Sequence, residues 1–212
     1  MYAMNMKLTD RRCVVVGGGR VALRKVLPLL EEGARVEVIA PQLCGELRQL
    51  AAEKKLSWQS AGYVPGCLTG AFLVFCATDD LSVNTAAAAE AHERGILVNV
   101  AAPGRDSDFQ VPASIRRGAL QLTVSTGGGS PAFSRLLRRQ LEARFTQAYG
   151  EWLQRLALLR AELQQRPGTS REREQFWQQV LNEGILALVE QGKLEEAEAE
   201  VRNAINGFGT QS

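Results

Sequence analysis

No stretch of this sequence comes near the roughly 20 consecutive apolar residues that a membrane-spanning helix requires, so a helical membrane protein is excluded. Cysteine is sparse: the four, at 13, 44, 67 and 76, form no C-x-x-C pair and adjoin no histidine cluster. That spacing argues against a disulfide scaffold and a zinc site, and leaves the reducing cytoplasm as the default compartment. The single histidine, His92, falls inside an alanine-rich helical pattern, so a resident metal centre has no ligand set. The opening seven residues carry no apolar run ahead of Asp10, Arg11 and Arg12, and a secretory signal is not expected. Charge of one sign is lacking too. With 25 basic and 23 acidic residues the net charge is +2, too little for a nucleic-acid partner. What is there, 212 residues with 45% hydrophobic and 23% charged, is enough for one sizeable core or a domain with an appendage.

Short apolar runs alternate with helical periodicity through the first hundred residues. Segments 12–16, 35–39, 56–58, 71–76 and 96–100 read as strands; 21–32, 43–54 and 81–94 read as helices. This alternation predicts an α/β fold, a Rossmann-type parallel sheet over 1–108. After Pro103-Gly104 the pattern changes. Two strands, 109–115 and 120–125, are expected around a turn at Arg116-Arg117-Gly118, followed by a helix from Pro131. The result is a small α+β module over 109–145 and an all-helical tail over 146–212, broken at Pro167-Gly168 and around Gly184 and Gly192. Segment 105–144 holds seven basic and three acidic residues, a local +4. That suits a small polyanionic ligand, and equally a solvated arginine-rich helix face.

The most specific local signal is Gly17-Gly18-Gly19-Arg20-Val21-Ala22, which matches G-x-G-x-x-G/A. In that fingerprint the first glycine makes a tight turn and the second lets backbone approach a pyrophosphate. The third small residue packs helix on strand, and the N–H groups of the helix start face the anion. Here it follows a valine strand and opens a helix, the context that gives the pattern weight. These six residues are candidate cofactor contacts, together with Pro41 and Gln42 after the second strand and Thr78 and Asp79 after the fourth. Thr78 and Asp79 either meet the cofactor or cap the next helix. The second strand ends Val38-Ile39-Ala40-Pro41-Gln42, with no acid for ribose hydroxyls and no arginine for a 2′-phosphate. NAD is expected over NADP.

Four separated stretches resemble the precorrin-2 dehydrogenase/sirohydrochlorin ferrochelatase family, the dehydrogenase module of siroheme synthase. They are Val14–Lys25, Ala77–Asn84 with Val98-Asn99-Val100, Thr123–Pro131 with Arg135–Arg138, and Phe176-Trp177 in the tail. The sequence stops before any methyltransferase domain, which reads as a stand-alone form. The resemblance implies NAD-dependent oxidation of precorrin-2 to sirohydrochlorin and, in some members, insertion of ferrous iron. It also implies a cytoplasmic homodimer, with 109–145 as dimerisation region and the active site between that region and the Rossmann domain. The substrate carries eight carboxylates, so Arg116, Arg117, Arg135 and Arg138 are candidates for bidentate pairing. Asn99, Thr126, Gly127, Gly128 and Ser130 are further substrate-binding candidates. No nucleic acid, membrane or metal site is implied.

One departure bears on mechanism. The family runs Asn-Val-Val-Asp after its fifth strand, and that aspartate is the key acid–base residue; here the run is Asn99-Val100-Ala101-Ala102. Alanine accepts no proton, which leaves Asp106 and Asp108 as candidate replacements. Hydride transfer depends chiefly on positioning, whereas metal insertion must strip two pyrrole N–H protons. The expectation is a dehydrogenase that inserts metal poorly. Two other classes stay open at this point: an NAD-binding sensor module, and a tetrapyrrole binder without turnover.

Overall fold

The computed structural model describes residues 2–101 and 107–209, in two compact units that meet at Val111 and Pro112. The first unit builds β1 (Arg12–Val16), α1 (Arg20–Glu31), β2 (Arg35–Ile39), α2 (Gly45–Ala52), β3 (Ser57–Gln59), β4 (Leu73–Cys76), α3 (Leu81–Glu93) and β5 (Leu97–Val100). All the strands are parallel, in the order β3-β2-β1-β4-β5. The chain leaves central β1 first toward β2 and later returns on its other side as β4. That reversal is a topological switch point, and sheets of this kind bind ligands at its carboxyl end.

Side-chain alternation divides the strands between two apolar layers. Cys13 and Val15 pack with Ala22, Val26 and Leu47 on the α1 and α2 side. Val14 and Val16 pack with Ala87 and Ala91 of α3 on the other. A strand covered on both faces has no position for a polar residue, which is why 13–16 is an unbroken apolar run. Between β3 and β4 the chain is held by the buried carboxylate of Glu90. It accepts hydrogen bonds from Tyr63 Oη at 2.7 Å, Gly66 N at 2.9 Å and Leu68 N at 3.3 Å, and pairs with Arg94. Burial acts to raise its pKa, but these donors prevail and hold it below the usual carboxylate range.

Edge strand β5 is closed by the chain that follows it. Ser107 Oγ accepts from Val100 N at 2.9 Å and Asp108 Oδ2 from Val98 N at 2.8 Å, while Asp108 N donates to Val98 O. Asn99 Nδ2 donates to the Phe109 carbonyl at 2.9 Å, and the Phe109 ring meets Phe75 edge-on. Open edges invite pairing with other chains, and this one is satisfied internally. Because 107–109 is committed to β5, the strand expected from Phe109 starts only at Ala113, beyond Pro112, which has no N–H to give.

The second unit joins the hairpin, the helix after it and the tail helices in one cluster. The hairpin pairs β6 (Ala113–Arg117) with β7 (Leu120–Val124), and its turn is Gly118-Ala119, two residues beyond the expected start. Gly118 adopts φ +56°, open to glycine at the first position of a two-residue turn. The helices are α4 (Pro131–Arg144), α5 (Gln147–Gln164), α6 (Ser170–Val180), α7 (Glu183–Glu190) and α8 (Leu194–Gly207). The break expected around Gly184 falls at Leu181-Asn182 instead, because Asn182 Oδ1 caps the N–H groups of Gly184 and Ile185. Trp152, Leu159, Leu163, Ile185, Val201 and Ile205 form the core. α5 touches the hairpin tip at Gly150, where a Cβ would lie 2.7 Å from the Arg117 carbonyl.

Candidate cofactor and active site

The three glycines after β1 meet three different constraints. Gly17 has φ +123°, and a Cβ there would strike the Ala77 carbonyl, with its carbon at 2.7 Å. Gly18 would strike the Gln42 carbonyl, whose carbon is 3.0 Å from the Cβ position, and the methyl of Ala40 at 2.9 Å. Gly19 would meet nothing within 4 Å, and its φ of −88° is one that any residue adopts. Among the described residues no atom, and no backbone strain, demands a glycine at 19. The space a side chain would fill is open at the start of α1, whose N-cap has no side-chain hydrogen bond and whose first turn has no acid. Its N–H groups, lacking a side-chain cap, are placed to meet an anion there. Ala22, fully buried, seats the helix on the sheet as the third small position requires.

The glycine turn is tied to both neighbouring strand ends. Cys44 N donates to Gly18 O at 2.8 Å, which locks the Pro41–Cys44 loop against it. At the end of β4, buried Asn84 orders Thr78: its Nδ2 donates to Thr78 O at 2.9 Å, and its Oδ1 accepts from Thr78 Oγ1 at 2.9 Å. Asp80, not Asp79, caps α3, accepting from Ser82 N at 2.8 Å and Ser82 Oγ at 2.6 Å. The Ser82 hydroxyl and the Val83 and Ser82 N–H groups hold its carboxyl below the usual range. Asp79 is exposed beside it. Thus the residues 17–22, 41–42 and 78–79 converge on one carboxyl edge. The arrangement fits a dinucleotide: a cradle emptied of Cβ atoms, a helix start without its own cap, and ordered backbone on each side. Burial alone pushes the Cys76 thiol, at the end of β4, up to about 12, so no thiolate operates there.

The candidate replacement bases fare differently. Ala102 and Asp106 lie outside the described residues. Asp108 is committed to the fold: one carboxylate oxygen takes the Val98 N–H, and the other faces His92 Nε2 at 3.4 Å. A carboxylate that takes a backbone N–H at a strand edge serves as a clamp, which argues against its expected role as a base. Asn99 Nδ2 likewise donates within the fold, to the Phe109 carbonyl.

In the second unit, several polar candidates are internal fasteners. Thr126 Oγ1 accepts from Ser130 N at 3.1 Å and lies 3.0 Å from Ser134 Oγ, and Ser130 Oγ caps Phe133 N at 3.2 Å. Gly127 and Gly128 carry the turn with φ +63° and +85°. Arg117 donates to the carbonyls of Glu142 and Phe145, capping the end of α4. Arg138 pairs with Glu142 at 3.0 Å. Arg116 and Arg135 are exposed on this unit.

Residues 4–113 match the family described as putative NAD(P)-binding. The chain belongs to that family. Two further stretches match in order: 117–144 the sirohaem biosynthesis protein central region, and 148–205 the sirohaem synthase dimerisation region. The resemblance drawn from the four motifs therefore holds. The region described as dimerising falls on the tail helices, C-terminal to the 109–145 segment that was expected to carry that role. Among curated relatives, a siroheme synthase of Nitrosococcus oceani is 40% identical over 95% of this chain, and one of Chromobacterium violaceum 38% over 98%. The chain spans 43% and 44% of their lengths, under half of each. The solved structure titled SirC, precorrin-2 dehydrogenase, is 25% identical with a TM-score of 0.82, covering 98% of this chain and all of that one.

For this NAD(P)-binding unit, sequence reasoning missed Asn84, although it closes the Ala77–Asn84 motif. Its only signal was a polar residue four positions after the cap Asp80, on a helix face otherwise filled by alanines. Ala40 was read only as the absence of an acid; its methyl is the surface on which Gly18 rests.

Proposed function

We propose that this chain oxidises precorrin-2 to sirohydrochlorin with NAD, in siroheme synthesis. The observation that carries the reading is Gly19, bare where no described residue forbids a side chain, at the uncapped start of α1. Gly17, Gly18, Gly19, Arg20, Val21 and Ala22 would hold the pyrophosphate and seat the helix behind it. Pro41 and Gln42 would border the adenosine side, and Thr78 and Asp79 the opposite wall. When bound, the nicotinamide ring supplies the hydride acceptor. The chain's own contribution is positioning: a glycine turn fixed from both sides, and Thr78 immobilised by a buried asparagine. With Asp108 engaged in the fold, the accompanying proton goes to Asp106 or to water.

The reading extends to a homodimer working in the cytoplasm on a polycarboxylate tetrapyrrole. Exposed Arg116 and Arg135 suit its carboxylates as guanidinium forks. Ferrous iron, in this reading, is at most a poor substrate. An anaerobic assay with precorrin-2 and NAD, followed by absorbance, tests it. Sirohydrochlorin and NADH should appear in equal amounts. A chain that binds NAD yet gives no product overturns the dehydrogenase.

A further inference from the structure

We infer that Trp58 sets this site's choice of NAD over NADP, by walling the adenosine ribose with hydrocarbon where a 2′-phosphate would need a cation. The inference rests on the nucleotide site proposed above and names a residue that no dinucleotide fingerprint contains. Trp58 lies on β3 opposite Val38 of β2. Its indole Nε1 donates to the Ala40 carbonyl at 2.9 Å, which pins the ring beside the carboxyl end of β2. In dinucleotide-binding folds this spot decides the cofactor: an acid takes the ribose 2′-hydroxyl, or a nearby arginine takes the 2′-phosphate.

Neither device is present at this strand end. Residue 40 is 2% exposed with its methyl directed at Gly18, so a longer acidic side chain has no room there. Arg48, the one cation of adjoining α2, donates to the Leu43 carbonyl at 3.3 Å, and Lys54 and Lys55 follow the helix's other end, where the chain turns back to the start of parallel β3. What the strand end does offer is an indole, 38% exposed although anchored, with its single N–H already spent. A ribose packs against such a ring with its hydroxyls still in water. A phosphate carrying nearly two charges would lose water against hydrocarbon and gain no partner.

The test is calorimetric titration of the full chain with NAD, NADP and nicotinamide mononucleotide, which lacks adenosine. The unmodified chain should prefer NAD. Trp58→Arg should narrow the NADP-to-NAD ratio of Kd by at least about tenfold, or 1.4 kcal/mol, with mononucleotide binding unchanged. Trp58→Phe keeps the hydrocarbon wall and should keep the ratio. A second readout needs no charged variant: ADP-ribose should shield tryptophan fluorescence from acrylamide, and this protection should vanish in Trp58→Phe. Trp58 is the single tryptophan of the first unit; the others, Trp152 and Trp177, belong to the second. An unchanged ratio in a folded Trp58→Arg chain, or protection that survives Trp58→Phe, overturns the inference and leaves the nucleotide site standing. Failure of the unmodified chain to bind either nucleotide overturns both.

Discussion

Gly17 and Gly19 are the same residue type under opposite constraints, and substitution should separate them. Gly17→Ala puts a methyl into the Ala77 carbonyl at a φ of +123°, which should destabilise the first unit by about 3 kcal/mol or more. Gly19→Leu meets open space, so thermal unfolding should move little while NAD affinity falls at least about tenfold. Folded Gly19→Leu with intact affinity would count against the whole site. The fingerprint and the separate roles of Gly17 and Gly19 were legible in sequence; the crowding at Gly18 was not, because Ala40 and Gln42 approach it from another strand end. Thiols at this scale carry a pH prediction. Burial pushes Cys13 up to about 11 and Cys76 up to about 12, from an ordinary 9.0. Both raised values belong to the folded state, so their contribution is complete below pH 9.0 and drains away as pH climbs through 11 and 12. Urea unfolding at successive pH values should show falling stability above about pH 9; a flat profile to pH 11 would contradict it.

Among the elements, β5 with its closing segment bears on mechanism. If Asp108 clamps the strand edge, Asp108→Asn retains an acceptor for Val98 N–H and should cost under about 1 kcal/mol, leaving turnover within a few-fold. Asp108→Ala strands that N–H and should cost about 1–3 kcal/mol. If Asp108 were the base, Asp108→Asn would instead lower the rate by about 10²–10⁴-fold. Denaturant melts beside single-turnover rates distinguish the two. Sequence periodicity gave this strand and its neighbours correctly, since an apolar run between a glycine-ended helix and a proline has few other readings. It missed the clamp because the pairing of Ser107 and Asp108 with β5 uses side-chain oxygens, which leave no alternation to detect. The same blindness extended the next strand back to Phe109. At Asn182 a side-chain cap, not the nearby glycine, ends one helix and starts another.

The hairpin does not stand alone, because Leu120 packs into the tail core and Ile115 is buried. Its contacts with α5 meet the need that a lone two-stranded unit would have had. Among the apolar side chains that stay uncovered are Phe133 and Leu136 on α4, at 52% and 43% exposure, and Leu158 on α5 at 72%. Light scattering should report twice 23.1 kDa. Phe133→Asp with Leu136→Asp should return the monomer if 109–145 holds the dimer, and Leu158→Asp should do so if 148–205 does. A 23.1 kDa species from the unmodified chain excludes either interface.

If Ala102 stands where the resemblance places the family's acid, metal insertion by this chain should turn on that residue. On the proposed reading, oxidation needs the substrate carbon held against the nicotinamide, positioning that the glycine turn and Thr78 would provide. Chelation needs two pyrrole protons accepted as the ion enters, and Asp108, the one described acid of that segment, is occupied with β5. The unmodified chain should therefore oxidise precorrin-2 while loading ferrous or cobaltous ion into sirohydrochlorin slowly. Ala102→Asp should raise metal insertion by about 10²-fold or more, the scale of a restored proton acceptor, with NAD affinity unchanged. Asp106→Asn then locates any residual proton acceptor: a large loss of oxidation would make Asp106 the base, and no loss would leave water in that role. Rapid metal insertion by the unmodified chain, undiminished in both Asp106→Asn and Asp108→Asn, would show that neither acid nor its absence governs the reaction.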